Sequence, residues 1–389
     1  MIKPGLHQFT AMERVIYGKP ASQALLEEAE RLDAQRVFLI VSRTLNTKTD
    51  EIEKVRKALG ARYVATFDQV PQHTTRNSAV AAAAQALEVQ ADLVVAIGGG
   101  SVVDAAKIVL MCIEHQILDA KGLDGFEVVS TAQGPRPGPF RNPKVRLIAV
   151  PTTLSGGEYN SGALVTDTER HLKQIFQHPM MMPRSIILDY AITRHTPQTL
   201  WLGSGTRAMD HGIEAICSVN GNVLVEAACL QGLRYLHSGL LKSKAEPDDL
   251  EGRLSCQLGS WLSAFGLQSR VLMGASHSIG HVLGGTCGVP HYFCTAVMMP
   301  SVLRFNETTT REAQYKIADA LGAPGESASE VFADFVRELG LPNRLSEVGV
   351  SEKQFPLIGE NAMLSIFTRS NPRKINGPDD IIEILRLAA

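Results

Sequence analysis

The order of apolar and polar positions changes once along the chain, near residue 190. In the first half, short apolar runs rich in β-branched residues alternate with segments rich in alanine and charge, which is typical of parallel strands joined by helices. The pattern predicts strands at 36–41, 62–67, 93–97, 146–150 and 185–188, and helices at 49–59, 78–90 and from residue 101 onwards. A stretch rich in glycine and proline, 133–143, is predicted to be a loop.

The second half has helical periodicity and few β-branched runs. It predicts helices at 206–218, 222–240, 249–268 and 327–339. The predicted fold class is α/β, with an N-terminal parallel-sheet, dinucleotide-binding domain over 1–190 and a C-terminal all-α domain over 191–389. No linker rich in serine or glycine separates them, so we expect a tight interface with a cleft.

Composition and charge exclude several classes of function. The chain has 389 residues, and 38 basic against 40 acidic side chains give a formal charge of −2. Without a basic field, nucleic acid is not expected as a partner. No stretch approaches 18 consecutive apolar residues and no signal peptide is evident, so we expect no membrane association. Six cysteines without CxxC spacing fit a reducing cytoplasm, where we expect the protein to reside.

Three glycines follow the predicted strand at 93–97, namely Gly98, Gly99 and Gly100, and Ser101 comes next. Glycine lets the backbone approach a ligand closely, and the free amides of a helix N-terminus attract a pyrophosphate. The simpler interpretation is a tight turn with Ser101 as the helix N-cap. The spacing matches neither GxGxxG nor GxxxxGK[ST], so the residues alone leave both interpretations open.

Ser42 and Arg43 follow the predicted strand at 36–41, where dinucleotide enzymes that prefer NAD often carry an acidic residue. Neither residue is a carboxylate, and both can accommodate a 2′-phosphate. We therefore expect NADPH to be used as well as NADH, although Arg43 is equally ordinary as a solvated loop residue.

Four histidines are candidate catalytic or metal-binding residues. His277 and His281 have the i, i+4 spacing that places both imidazoles on one helix face, and a glycine-rich turn can bring His291 beside them. His211 lies on a helix predicted to begin near Thr206. Because such spacing also arises by chance, it does not decide between a site and an ordinary helix.

The string GGGSVVDAAK resembles the nucleotide-binding segment of the iron-containing (group III) alcohol dehydrogenase family. The resemblance continues through PTT at 151–153, SGGE at 155–158 and NPR at 371–373, and covers most of the chain from about residue 10. The loop 154–160 is one residue shorter than the commonest family form. Within the family, the chain is most similar to the maleylacetate reductase-like branch, which tends to carry a histidine at the position of His73.

The resemblance implies a dehydroquinate synthase-like fold that binds NAD(P)H. Together with Ser42 and Arg43, the predicted cofactor-binding residues are Gly98, Gly99, Gly100, Ser101, Asp104, Thr152, Thr153 and Ser155.

The resemblance also implies active-site roles for His211, His277 and His291, and a position near the nicotinamide for His281. In metal-dependent members, the first three bind a divalent ion together with an aspartate, and that position is Arg207 here. A guanidinium cannot ligate a metal and its permanent charge repels a dication. The sequence therefore predicts no metal site, although three imidazoles could still hold zinc or iron.

Arg207 can hold a substrate carboxylate or serve as a structural ion-pair residue. Asp210 points about 100° away from His211 around the helix, so we expect it to be a surface or interdomain partner of Arg207. Glu214 either orients the imidazole of His211 or is a solvated charge.

The predicted function is an NAD(P)H-dependent oxidoreductase resembling maleylacetate reductase. The resemblance implies hydride transfer in the interdomain cleft, giving 3-oxoadipate in aromatic-compound breakdown. His281 or His211 would donate the proton, without a metal ion. The alternative is a zinc- or iron-dependent alcohol or aldehyde dehydrogenase of the same family, and more distant ones are a lyase or a non-catalytic nucleotide-binding protein. A small anionic substrate and a homodimer are expected.

Overall fold

The computed structural model describes residues 6–131 and 134–389 of the chain. They divide into two units, Thr10–His195 and Thr196–Ala389, the latter joined by a short N-terminal segment. The first unit contains strands and helices, whereas the α-helix is the regular element throughout the described part of the second, apart from short 3₁₀ turns. The predicted fold class, a parallel-sheet domain followed by an all-α domain, is confirmed.

The first unit is built from short strands and five α-helices in its described part. Its strands are β1 (Arg14–Tyr17), β2 (Val37–Val41), β3 (Tyr63–Phe67), β4 (Leu93–Gly98), β5 (Val129–Thr131), β6 (Gly134–Arg136), β7 (Arg146–Pro151), β8 (Gly162–Asp167), β9 (Leu172–Gln177) and β10 (Ser185–Leu188). Its helices are α1 (Ala21–Arg31), α2 (Arg43–Lys48), α3 (Glu51–Leu59), α4 (Arg76–Glu88) and α5 (Gly100–His115).

Six strands form one sheet in the order β1-β10-β7-β4-β2-β3, and every neighbouring pair is parallel. Every residue of β2 and β4 is buried, as expected for strands covered by helices on both faces. Alternate side chains of β2 enter different cores. Phe38 and Ile40 pack with α4 and α5, whereas Val37 and Leu39 pack with α1 and α3.

The five strands predicted from apolar runs are present as β2, β3, β4, β7 and β10, and the predicted helices at 49–59 and 78–90 correspond to α3 and α4. The sequence pattern does not indicate β1, β8 or β9, because β8 alternates between buried and half-buried positions and the side chains of β1 and β9 are mostly exposed or half-buried. Buried strands are therefore easier to predict than exposed ones.

The predicted loop at 133–143 is wrong in part, because Gly134–Arg136 forms β6 and pairs with β5 in a separate two-stranded ribbon. A two-stranded ribbon is held by main-chain hydrogen bonds, so glycine and proline in it conceal the strand from a search for apolar patterns. Residues 137–143 have no regular structure, as predicted, and Gln133 lies outside the described residues.

The second unit contains helices of very different lengths. They are α6 (Gln198–Cys217), α7 (Val223–Ala245), α8 (Leu250–Ser263), α9 (Phe265–Gln268), α10 (Ala275–Thr286), α11 (His291–Ala320), α12 (Ala328–Leu339), α13 (Phe355–Ala362), α14 (Ile366–Arg369) and α15 (Pro378–Leu387). The predicted helices at 222–240, 249–268 and 327–339 correspond to α7, to α8 with α9, and to α12.

The predicted start of α6 near Thr206 is wrong, because the helix begins at Gln198. Glycines in this first part lower its helix propensity, but they are needed for packing. A Cβ on Gly203 would lie 2.8 Å from the ring of Tyr292 on α11, and one on Gly205 would collide with α7. No described helix is both long enough and apolar enough to cross a membrane.

Candidate cofactor site and active site

The predicted cofactor residues follow three neighbouring strands. Ser42 comes directly after β2, Gly98 ends β4, and Thr152 comes directly after β7, and β4 lies between the other two strands. The Ser42 amide donates to the carbonyl oxygen of Ile97 at 2.9 Å, and the Thr152 amide donates to that of Gly98 at 3.1 Å. These segments thus meet at the carboxyl edge of the sheet, where open α/β sheets bind their ligands.

The glycine turn leads from β4 directly into α5. Gly99 is the N-cap, and no side chain caps this helix. A Cβ on Gly98 would lie 2.7 Å from Val102, and one on Gly99 would lie 3.2 Å from Thr153. The turn therefore requires glycine, and the uncapped helix N-terminus with its positive dipole end fits a pyrophosphate.

The predicted N-cap role of Ser101 is wrong. The N-cap is Gly99, two residues earlier, and its carbonyl oxygen accepts hydrogen bonds from the amides of Val102 and Val103 at 3.0 and 3.2 Å. Ser101 contacts the preceding loop instead: its Oγ accepts from the His73 amide at 3.2 Å, and its carbonyl oxygen accepts from Thr74 Oγ1 at 2.7 Å.

Thr153 and Ser155 lie against the glycine turn, whereas Asp104 has a partner within the protein. The two hydroxyl oxygens of Thr153 and Ser155 are 3.2 Å apart. Asp104 accepts a hydrogen bond from the Leu164 amide on β8, and burial raises its pKa to about 6 against the opposing effect of Lys107. The carboxylate of Asp104 thus anchors β8 to α5, and its contact with a cofactor stays a prediction.

Lys173 on β9 is a further residue near the glycine turn that the sequence pattern does not indicate. Burial, together with the charge of Lys173, lowers the pKa of His73, whose amide binds Ser101. The charge of Lys173 also acts on Asp104. A cation close to these residues suits a phosphate, but β9 has no apolar run that would have placed this lysine near the glycine turn.

The candidate active site is built around α6. This helix buries 16 of its 20 residues, including Arg207, Asp210, His211 and Glu214. A polar residue on such a helix faces protein whichever way it points. The predicted surface position of Asp210 is therefore wrong, and its side chain is 0% exposed.

The carboxylate of Asp210 connects three helices. Its Oδ2 accepts hydrogen bonds from Arg207 Nη1 at 2.8 Å, Ser276 Oγ at 3.0 Å and Thr295 Oγ1 at 2.7 Å. The i, i+3 pairing of Arg207 with Asp210 is as predicted, but it is buried. Burial raises the pKa of Asp210, but the charges of His277 and Arg207 outweigh it and hold the pKa well below the ordinary value.

Glu214 caps α10 and orients His277. Its carboxylate accepts from the amides of Gly274 and Ser276, both at 2.8 Å, and lies 2.7 Å from His277 Nδ1. Both predicted roles of Glu214 are therefore wrong, because it is neither solvated nor bound to His211. With Nδ1 donating to Glu214, the free nitrogen of His277 is Nε2.

The structure brings the four predicted histidines into one row. Ring centroids lie 5.1 Å apart for His211 and His277, 6.3 Å for His277 and His281, and 5.8 Å for His281 and His291. The ring of Phe367 lies 5.9 Å from that of His277 and 5.8 Å from that of His281. His277, the second ring of this row, lies between His211 and His281.

His211 and His277 differ in their protonation. Burial and the charge of Arg207 lower the pKa of His211 well below its ordinary value. Burial and Arg207 also act on His277, but Asp210 and Glu214 outweigh them and raise its pKa. The imidazole of His211 thus favours its neutral form, whereas that of its neighbour His277 favours its charged form.

The NPR segment supports the N-terminus of α10. Asn371 Oδ1 accepts from the Ala275 amide at 3.1 Å, and its Nδ2 donates to Asn306 Oδ1 at 2.7 Å. The guanidinium of Arg373 lies over the ring of Phe305 at 3.7 Å. This segment therefore holds the turn that precedes His277.

The donor set does not fit the four-ligand metal site. Within the described residues, one group of three side chains has metal-ligand atoms within 4.8 Å of one another, namely Asp210, Glu214 and His277. The carboxylate of Glu214 and Oδ2 of Asp210 already accept hydrogen bonds from the protein. His211 and His291 do not join such a group. Arg207 adds a permanent positive charge on the same carboxylate.

Two family models match the chain. The model described as iron-containing alcohol dehydrogenase matches residues 12–190, and the C-terminal model of the Fe-containing alcohol dehydrogenase family matches 202–389. The chain is 28% identical to the dehydrogenase FUM7 of Gibberella moniliformis over 96% of each sequence. It is 27% identical to the maleylacetate reductase of Burkholderia cepacia over 96% of this chain and 94% of that one.

A similar solved structure is the iron-containing alcohol dehydrogenase of Corynebacterium glutamicum. The two chains are 25% identical and superpose with a TM-score of 0.83, over 99% of this chain and 97% of the other.

Proposed function

We propose that this chain, which belongs to the iron-containing alcohol dehydrogenase family and is an NAD(P)-dependent oxidoreductase, reduces a small anionic oxo compound without a metal ion. The substrate proposed is maleylacetate, with 3-oxoadipate as product. The maleylacetate reductase among its relatives supports this choice. The observation that carries the proposal is the buried guanidinium of Arg207 beside the row of histidines.

Arg207 binds the substrate carboxylate. One of its nitrogens, Nη1, donates a hydrogen bond to Asp210 at 2.8 Å. Among the described residues, Asp210 is the hydrogen-bond partner found for this guanidinium. The remaining N–H groups can form a charge-assisted pair with an anionic substrate. Asp210 thus fixes the guanidinium on one side and leaves the other side for the ligand.

His277 delivers the proton. When bound, NAD(P)H supplies a hydride, and reduction of the carbon–carbon double bond of maleylacetate also consumes one proton. Glu214 holds Nδ1 of His277 and favours the charged imidazole, so Nε2 can donate. This assignment differs from the predicted donors His211 and His281, because burial and Arg207 keep His211 neutral.

The glycine turn binds the cofactor pyrophosphate. The uncapped N-terminus of α5 offers amides and a positive dipole end, and Thr153 and Ser155 offer hydroxyl groups next to it. Ser42 and Arg43 follow β2 at the same sheet edge, and no carboxylate stands there to repel a 2′-phosphate. We therefore propose that both NADH and NADPH serve as cofactors.

The test is oxidation of NADH and NADPH by the purified protein with a panel of oxo acids, enoyl acids and neutral aldehydes. We expect turnover of the acids with both cofactors, within about a hundredfold of each other in kcat/KM. Turnover confined to neutral aldehydes would contradict the assigned role of Arg207.

A metal-dependent alcohol dehydrogenase is the second candidate. It is favoured by two buried nitrogens, Nδ1 of His211 and Nε2 of His277, which find no hydrogen-bond partner among the described residues. Incubation with EDTA followed by metal analysis separates the two candidates. We expect activity to persist in the metal-free protein, whereas loss of activity and its recovery with zinc or iron would establish the second candidate.

A further inference from the structure

Lys107 on α5 is a buried lysine with an unusually complete set of acceptors. Its side chain is 0% exposed. The ammonium donates to the carbonyl oxygens of Gly157, Asn160 and Gly162 at 2.6, 2.8 and 2.7 Å, and lies 3.3 Å from Asn160 Oδ1. An ammonium has three donors, so the three carbonyl oxygens account for all of them. Lys107 has no surface left with which to contact a ligand.

The segment that Lys107 holds continues directly from the proposed cofactor loop. The side chain of Thr153 lies 3.2 Å from where a Cβ on Gly99 would be, and Ser155 Oγ lies 3.1 Å from the corresponding position on Gly100. The loop is therefore packed against the glycine turn at its start and tied to α5 by Lys107 at its end. One helix thus carries both the turn and the anchor of the loop.

Two acidic residues support this anchor. Asp104, one helical turn before Lys107, accepts from the Leu164 amide and so ties down the next strand. Glu158 lies within the held segment, and burial raises its pKa to about 7 while the charge of Lys107 opposes the shift. Burial lowers the pKa of Lys107 to about 8, and the two acids oppose that shift. The anchor is thus a compact buried group of one base and two acids.

We propose that Lys107 is a positioning residue for cofactor binding, because it fastens 157–162 to α5 and thereby keeps Thr153 and Ser155 beside the glycine turn without touching the cofactor. The proposal rests on the cofactor site of the proposed function and is independent of its substrate. It divides the GGGSVVDAAK string into two parts. The glycines and serine form the turn, whereas Asp104 and Lys107 hold the opposing loop.

The test is Lys107→Met, with the Kd of NADPH measured by fluorescence titration and steady-state kinetics at saturating cofactor. We expect the Kd and the KM for NADPH to rise about tenfold or more, because a misplaced loop weakens binding, while kcat changes by less than about threefold. The matched control is Lys57→Met, since Lys57 is 76% exposed on α3 of the same unit. That variant should bind NADPH as the unmodified chain does.

Loss of Lys107 alone leaves buried carboxyl groups without their cation, so the variant could fail to fold. The double variant Lys107→Met, Glu158→Gln removes the carboxylate of Glu158, and Asp104 keeps its hydrogen bond from the Leu164 amide. It is expected to fold, to bind NADPH equally weakly and to show faster amide hydrogen exchange confined to the segment around 155–164.

Three outcomes overturn the proposal. They are an unchanged Kd in a folded variant, a fall of kcat equal to the rise in KM, and faster exchange throughout the first unit. Failure of the proposed cofactor site gives a different result, because the unmodified chain itself would then bind neither NADH nor NADPH.

Discussion

Arg207 and Asp210 form a buried ion pair, and such a pair behaves differently from one on the surface. Neither side chain is more than 7% exposed. Removal of one partner of a buried pair leaves an uncompensated charge, which costs about 3–5 kcal/mol. Effects of substitution on stability and on substrate binding must therefore be measured separately at these two positions.

Arg207→Met is expected to lower kcat/KM for an oxo acid by about 10- to 100-fold, because one charge-assisted contact with the carboxylate is lost. The expected kcat/KM for a neutral aldehyde of similar size changes much less. The measurement is steady-state kinetics with both substrates.

The double variant Arg207→Met, Asp210→Asn is the control for the buried carboxylate that the single change leaves unpaired. It should recover thermal stability and not recover activity on the acid. An equal loss on both substrates would show that Arg207 does not recognise substrate charge.

The residues of the active site were predictable in identity but not in arrangement. The i, i+3 and i, i+4 spacings correctly relate Arg207 to Asp210 and His277 to His281. A helical wheel assumes one solvent-facing side, and α6 has none along most of its length. The partner of Glu214 is on α10, 63 residues away, and nothing in the local sequence identifies a contact across that distance.

At the scale of elements, the glycine turn between β4 and α5 was predictable from the sequence. The continuous apolar run of β4 predicts a strand buried on both faces, and three glycines predict a close approach of the backbone. The exact N-cap required the structure, because both Gly99 and Ser101 are acceptable N-cap residues.

Gly99→Val is expected to raise the Kd of NADPH about tenfold or more, because its Cβ would lie 3.2 Å from Thr153 and the larger side chain would displace the loop. Isothermal titration calorimetry measures this. The control is Gly285→Ala, because Gly285 lies in a helix and no atom outside its immediate helical neighbours lies within 4 Å of where its Cβ would be. An unchanged Kd in a folded Gly99→Val variant would place the pyrophosphate elsewhere.

Asp124 joins α4 to the turn between β8 and β9, two strands that pair antiparallel in a ribbon of their own. Its carboxylate accepts from Arg170 at 2.8 and 2.9 Å and from Arg76 at 2.6 Å. The hydrogen bonds from Arg170 and Arg76 hold the pKa of Asp124 well below its usual value of 3.8. A carboxylate with a lowered pKa in the folded chain contributes stability above its unfolded pKa and loses it as the pH falls.

Asp124→Asn is therefore expected to lower Tm at pH 7, and the difference from the unmodified chain should shrink as the pH falls below about 4. Thermal unfolding followed by circular dichroism at both pH values measures this. Asp334→Asn, in an ion pair that is 66% exposed on its acidic side, should change Tm little at either pH. A Tm difference that persists unchanged in acid would refute the role of the charge.

At the scale of the whole molecule, the two sets of candidate residues belong to different units. The residues proposed to bind the cofactor lie within Thr10–His195, whereas Arg207 and the four histidines lie within Thr196–Ala389. The alternating and helical halves of the sequence pattern indicate this division. The prediction that hydride transfer occurs in a cleft between the domains stays a prediction.

Because Arg207 is proposed to bind the substrate and the glycine turn is proposed to bind the cofactor, each substitution is expected to weaken the binding of its own ligand. Arg207→Met should leave the Kd of NADPH within about twofold of the unmodified value, and Gly99→Val should leave the preference for acid over aldehyde unchanged. Kinetics of the two single variants and of the double variant test this. A coupling above about 1 kcal/mol would mean that the two sites act as one.

The shared carboxylate of Asp210 restricts how this site could have evolved from, or could revert to, a metal-binding one. Arg207→Asp as a first step would place a second carboxylate one helical turn from Asp210, in a buried position where the hydroxyl donors of Ser276 and Thr295 and the imidazole of His277 already serve Asp210. Asp210→Ala as a first step would strand a guanidinium instead. Each single change is therefore expected to lower the stability of the folded chain, and a change at both positions together is expected to lower it less.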